Sequence, residues 1–209
     1  MEKEMIQEIM YSPHQVSFRT VPVPQVLPGQ VKVKIKMIGI CGSDIGAFRG
    51  TNGLVSYPRV IGHELAGIVE SIPENNKNGI KVGDRVVVDP YLYCGHCYPC
   101  RIGRTNCCTD LKVLGVHVDG GMAEYYCHPA DMLIKIPEGM SWEQAAMAEP
   151  LTISLHGIHR GGLQAGGAAA DDSDTLAVGG ALLQDLHAAG SLKIGDKALD
   201  AADVDGLVD

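Results

Sequence analysis

Cys94, Cys97, Cys100 and Cys108 lie in one short stretch, C-G-H-C-Y-P-C and then, after seven intervening residues, a fourth cysteine. Each two-residue gap lets the backbone curl back on itself, so four thiolates at this spacing can close a tetrahedral shell around zinc. Three evenly spaced cysteines within seven residues are poorly placed to pair with one another as disulfides. The N-terminus, Met1-Glu2-Lys3-Glu4, lacks the basic-then-apolar pattern of an export signal. With seven cysteines in the chain and no such signal, the expected compartment is a reducing cytoplasm. The stretch therefore reads as a structural zinc lobe, closed, with no position left for chemistry. The adjacent Cys107 is the alternative to Cys108 as fourth ligand.

Charge narrows the partners. The net charge of −8 argues against nucleic acid, and no apolar run approaches the roughly 20 residues of a membrane helix. The acidity is also uneven. Residues 1–164 hold 15 Lys and Arg against 16 Asp and Glu, whereas residues 165–209 hold two Lys against nine Asp. Ala, Gly and Asp supply 27 of those last 45 residues. This composition boundary sets a domain over 1–164 apart from an acidic tail over 165–209.

Within 1–164 the periodicity is mostly that of strands. Val31, Val33, Ile35 and Met37 alternate with Lys32, Lys34 and Lys36, one buried face and one wet face. Further strands are expected at Glu64–Ile72, Asp84–Val88 and Met132–Ile136, each bounded by turn residues. Many short, punctuated strands point to a mainly β fold with few helices, a closed or half-closed barrel. Ser141-Trp142-Glu143-Gln144 is a capping box that opens a helix. Pro150 is expected to interrupt that helix, with a second helical stretch running to Gly161-Gly162. In the tail, Thr175–Gly180 reads as a strand and turn. Ala181–Ala189 reads as a short helix carrying Leu182, Leu183 and Leu186 on one side.

A second group of metal-binding residue types lies upstream: Cys41 in G-I-C-G-S-D after the alternating strand, and His63 and Glu64 in G-H-E before the next. Taken alone, this pairing reads more readily as a buried thiol and a surface His-Glu. The order of all the motifs weighs differently. C-G-S-D, G-H-E, V-G-D-R-V, the four-cysteine stretch, G-G-M-A-E-Y at 120–125 and A-E-P-L at 148–151 together resemble the zinc-dependent medium-chain dehydrogenases. The resemblance is strongest to the polyol, threonine and sugar-acid branch and covers residues 1 to about 165.

The resemblance implies a GroES-like β-barrel catalytic domain with one catalytic and one structural zinc. Cys41 and His63 match the catalytic zinc ligands. Glu64 matches a residue that ligates the metal or sits just behind it. Glu149 stands where other alcohol dehydrogenases carry a second Cys, and in the polyol branch it contacts zinc or its bound water. Ser43 matches the hydroxyl that relays the alcohol proton, and Asp44 a carboxylate that orients His63. The implied reaction is oxidation of a secondary alcohol on a polyol, sugar acid or amino-acid-like substrate, with hydride passing to NAD or NADP.

Such enzymes continue after about residue 165 into a Rossmann coenzyme domain with a G-x-G-x-x-G turn. In this chain Gly179-Gly180-Ala181-Leu182 does not match that turn, and the Rossmann domain is expected to be absent, with activity impaired. Two other readings stand beside the enzyme: a zinc-binding module without turnover, and a truncated or engineered scaffold whose tail helix covers apolar surface. Oligomeric state is left open.

Overall fold

In a computed structural model of the chain, residues 3–73 and 79–161 are described. They fall into two compact units, one of Met1–Ala146 and one beginning at Met147. The strand and helix expected in the tail, and the boundary at 164, lie outside the described residues.

The first unit begins with a hairpin, β1 (Glu4–Ser12) and β2 (Gln15–Pro22). β3 (Gln30–Gly39) follows, then α1 (Gly42–Arg49), β4 (Glu64–Ser71) and β5 (Arg85–Val88). Two short strands, β6 (Tyr91–Leu92) and β7 (Lys112–Val113), bracket α2 (Tyr98–Arg101). β8 (Tyr125–Pro129), β9 (Leu133–Lys135) and α3 (Trp142–Ala146) complete the unit. Five strands form an antiparallel sheet in the order β8-β3-β4-β5-β9. This is a half-barrel whose inner face is closed by Val31, Val33, Leu65, Val69, Val86, Val88, Leu114 and Leu133. The alternation read from residues 31–37 places Val31 and Val33 in that core and leaves Lys34 and Lys36 exposed.

β2 alternates Val16 and Phe18 with Ser17 and Arg19, but both apolar side chains are exposed, as is every residue of the strand but one. The hairpin is instead held through its first strand. Met10 and Arg59 exchange backbone bonds of 2.8 and 2.9 Å, and Glu8 N–H donates to Met122 O at 2.9 Å. At the other end of the unit, the capping box forms as expected. Gln144 N–H donates to Ser141 Oγ at 3.2 Å, and Ser141 N–H donates to Gln144 Oε1 at 3.0 Å. Arg85 stacks over Trp142 at 4.1 Å and donates to Met140 O, which seats α3.

The second unit opens with α4 (Ala148–Arg160). Pro150 does not interrupt a helix. The break falls at Met147, and Pro150 sits in the first turn of α4, where its missing N–H would have had no intrahelical partner.

His128 is the largest polar side chain wholly inside the first unit, 1% exposed, with Nε2 2.8 Å from Asp89 O. Burial holds its imidazole down to about 4. Unfolded, it takes a proton near its ordinary 6.5, so acid favours the unfolded chain. Its contribution is complete above about pH 6.5 and is lost as the pH falls toward 4, on the order of 3 kcal/mol in all. Urea unfolding of the wild type and His128→Asn checks this. The difference between their stabilities should shrink by that amount between pH 7 and pH 4, and a constant difference refutes it.

Candidate metal centres

The four-cysteine lobe is tied off at its neck by the pairing of β6 with β7, Tyr91 opposite Val113 and Leu92 opposite Lys112. Between them the Sγ atoms of Cys94, Cys97, Cys100 and Cys108 all lie within 4.8 Å of one another. Cys94 and Cys100 are 4.0 Å apart and Cys97 and Cys108 are 3.9 Å apart. A tetrahedron with metal–sulfur bonds of about 2.3 Å has edges of about 3.8 Å, so the sulfurs stand at ligand spacing, not at the distance of a disulfide. Backbone amides point at them: Cys97 N–H at Cys94 Sγ, and Cys94 and Asp110 N–H at Cys108 Sγ, each 3.3 Å. Such donors favour thiolate. Backbone bonds from Thr109 and Cys100 pull Cys97 down to about 6, while desolvation and the neighbouring thiols push Cys100 up to about 12. Cys107, next in sequence to the fourth ligand, is exposed and stands outside the group.

The second group depends on sheet register. β3 and β4 pair so that Gly39 lies opposite Glu64. Cys41, two residues beyond Gly39, and His63, one residue before Glu64, are thereby brought to the same end of the sheet. One ligand atom from each of Cys41, His63 and Glu64 lies within 4.8 Å of the others. His63 and Glu64 are buried, and Cys41 is half-buried. Glycine at 39 is a steric requirement, since a Cβ there would lie 1.9 Å from Glu64 Oε2. Thiol, imidazole and carboxylate together make the mixed three-ligand donor set of an open zinc site, whereas four thiolates make a closed one.

Asp44 locks the two halves together from the first turn of α1. Its Oδ2 accepts Cys41 N–H at 3.0 Å and its Oδ1 accepts Gly62 N–H at 3.3 Å. His63 Nδ1 is buried without a hydrogen-bond partner, with Asp44 Oδ1 3.8 Å away. A buried ring nitrogen facing a carboxylate fits a histidine whose other nitrogen is given to a metal. Ser43 Oγ, on the same turn, is likewise buried and without a partner. Glu149 occupies the first turn of α4, in the second unit, half-buried.

Supporting groups come from two other segments, 119–122 and β1. Gly120, Gly121 and Met122 N–H donate to Val60, Gly62 and Ile61 carbonyls at 2.7, 2.9 and 3.1 Å. Asp119 Oδ1 accepts Val60 N–H at 3.2 Å, and Glu8 Oε2 accepts Ile61 N–H at 3.3 Å. The signal for Glu8 was a single acid within Met5-Ile6-Gln7-Glu8-Ile9-Met10, an apolar run in which a carboxylate has no ordinary place.

Residues 27–138 match the alcohol dehydrogenase GroES-like domain. A zinc-type alcohol dehydrogenase-like protein of Haemophilus influenzae is 52% identical over 165 residues, 78% of this chain and 48% of its own length. L-galactonate-5-dehydrogenase of Escherichia coli is 40% identical over 148 residues, 71% of this chain and 42% of its own. Among solved structures, the short chain alcohol dehydrogenase RspB of Escherichia coli, complexed with NADH, superposes with a TM-score of 0.71 at 45% identity. That match covers 76% of this chain and 46% of RspB. The chain thus spans about half the length of the curated relatives it matches. Among the described residues, no helix is long and apolar enough to cross a membrane.

Proposed function

The chain belongs to the alcohol dehydrogenase GroES-like domain family, and from that premise we propose that it carries the two zinc sites of a dehydrogenase acting on polyols or sugar acids. The observation that carries this reading is the convergence of Cys41, His63 and Glu64 at one end of the β3–β4 pair. Cys94, Cys97, Cys100 and Cys108 would hold the structural ion, and Cys41, His63 and Glu64 the catalytic one, with Glu149 as the further carboxylate.

Bound at the trio, zinc supplies Lewis acidity that lowers the pKa of a substrate hydroxyl. The protein's own groups do the rest. Asp44 holds the imidazole of His63 and the backbone of Cys41 in one orientation. Ser43 Oγ, desolvated and without a partner, takes the proton from the substrate hydroxyl and passes it outward. Gly39 leaves the Glu64 carboxylate room to lie against the sheet. NAD or NADP, when bound, would supply the hydride acceptor. The polyol or sugar-acid class rests on relatives such as the Escherichia coli L-galactonate-5-dehydrogenase and the sorbitol dehydrogenase of Arabidopsis thaliana, and on Glu149 standing in place of a cysteine.

Metal analysis of the full chain tests the reading. Two zinc equivalents per chain are expected, falling to one in a Cys41→Ser, His63→Ala double variant. A wild-type content of one or none overturns it. Calorimetric titration of NADH and NADPH into the zinc-loaded chain then separates two outcomes. Binding calls for polyol oxidation that His63→Ala abolishes, and absence of binding leaves a zinc-binding module.

A further inference from the structure

Three successive backbone amides lead into His63, and each donates to a different carboxylate. Val60 N–H goes to Asp119, Ile61 N–H to Glu8 and Gly62 N–H to Asp44. The carbonyls of the same three residues accept from Gly120, Met122 and Gly121. The backbone that aims the imidazole is therefore paired at every polar group, as a buried segment requires.

Two of the three carboxylates have other work. Asp44 also binds the Cys41 amide, and Asp119 also pairs with Arg59 at 3.1 Å. Glu8 has none. It is 2% exposed, its Oε1 has no hydrogen-bond partner, and its one side-chain bond is the one to Ile61. Burying a carboxyl with half its acceptors idle costs free energy. A hydrophobic residue would fill the same place against Ile35, Met37 and Met122, which line the cavity of about 410 Å³ that Glu8 borders. The cost is explained by the bond Glu8 makes.

We propose that Glu8 is a positioning residue of the metal centre, fixing through the Ile61 amide the backbone that presents His63. The inference rests on the metal reading of the Cys41–His63–Glu64 trio. Burial pushes the Glu8 carboxyl up to about 7; nearby Asp44 and Asp119 push the same way, and the Ile61 bond and Arg19 pull it back. A neutral acid still accepts a hydrogen bond through its carbonyl oxygen, so charge is not what the site needs. Glutamine is then the matched replacement, and alanine the disruptive one.

The test is cobalt(II) titration of the metal-stripped full chain, with the four-thiolate and single-thiolate sites told apart by their charge-transfer intensity. Glu8→Ala should weaken the single-thiolate site by about 10-fold or more and leave the four-thiolate site unchanged, while Glu8→Gln stays within about threefold of wild type. Should Glu8→Ala fail to fold, Glu8→Asp serves instead: it keeps the acid but is one methylene short of Ile61, and it should lose cobalt in the same selective way. Unchanged cobalt affinity in Glu8→Ala or Glu8→Asp, equal weakening of both sites, or a Glu8→Gln variant as weak as Glu8→Ala overturns the proposal. A wild-type chain that takes up cobalt only at the four-thiolate site overturns the trio reading as well.

Discussion

Replacing Cys97 with Ser, or removing metal with a chelator, should open the 94–108 lobe to trypsin at Arg101 and Arg104. The lobe has almost nothing else to hold it. Its regular structure is a pair of two-residue strands, the four-residue α2 and a three-residue 3-10 turn, Thr105–Cys107, none of whose residues is buried. Tyr98 is 67% exposed and Ile102 51% exposed, so the large apolar side chains inside the loop turn outward. Leu114, at its root, is fully buried with the sheet core, which anchors the neck but not the loop. A segment this poor in core needs a staple. Structural zinc supplies one, with an apparent binding free energy of roughly 10–16 kcal/mol near neutral pH. Against that, at least a 100-fold rise in cleavage rate on metal removal is a conservative expectation, since a tenfold change needs only about 1.4 kcal/mol. Cys97→Ser should show it with metal present, and Cys107→Ser, at an exposed position outside the cluster, should not. Equal protection of metal-stripped and loaded protein would mean that the lobe stands without metal and that the four sulfurs are merely neighbours.

Features legible in the chain were those whose signal is local. The four cysteines span 15 residues, and the capping box four. β3 advertises itself through Val31 and Val33 alternating with lysines. What escaped depended on distance. Cys41 and His63 are brought together by the Gly39–Glu64 register, and that register contains two shifts, between Lys32 and Val33 and between Ile35 and Met37. Nothing in the residues announces either shift, so only the ordered resemblance to a known family paired the two motifs. The β1–β2 hairpin was missed for a different reason. β2 alternates Val16 and Phe18 with Ser17 and Arg19 over only a few residues and buries almost no side chain, and β1 is secured by backbone bonds to Arg59, Met122 and Glu124. Proline breaks a helix interior but is tolerated in a first turn, and the residues around Pro150 do not say which of the two it occupies.

Among the described glycines, Gly120→Ala should be the most damaging single-methyl change. A Cβ at this position would lie 2.3 Å from Gly62 O and 2.6 Å from Ile61 O. Both contacts are with backbone that is itself buried and bonded, so no flexible side chain can move aside. Segment 120–122 must instead back away from residues 60–62, which breaks or stretches the three amide bonds of 2.7, 2.9 and 3.1 Å between them. Each buried carbonyl left unpaired costs about 1–3 kcal/mol, so the total loss should be at least about 3 kcal/mol. The damage is also directed. Residues 60–62 carry His63, so the variant should lose metal from the Cys41–His63–Glu64 trio while the four-cysteine lobe, held by its own ligands, keeps its ion. Gly42→Ala is the matched control, since a Cβ there meets nothing within 4 Å and the residue opens α1 without a positive φ. Chemical denaturation and metal analysis of the two variants check both parts. Were Gly120→Ala as stable and as fully metallated as Gly42→Ala, the contact between 120–122 and 60–62 could not be what sets the position of His63.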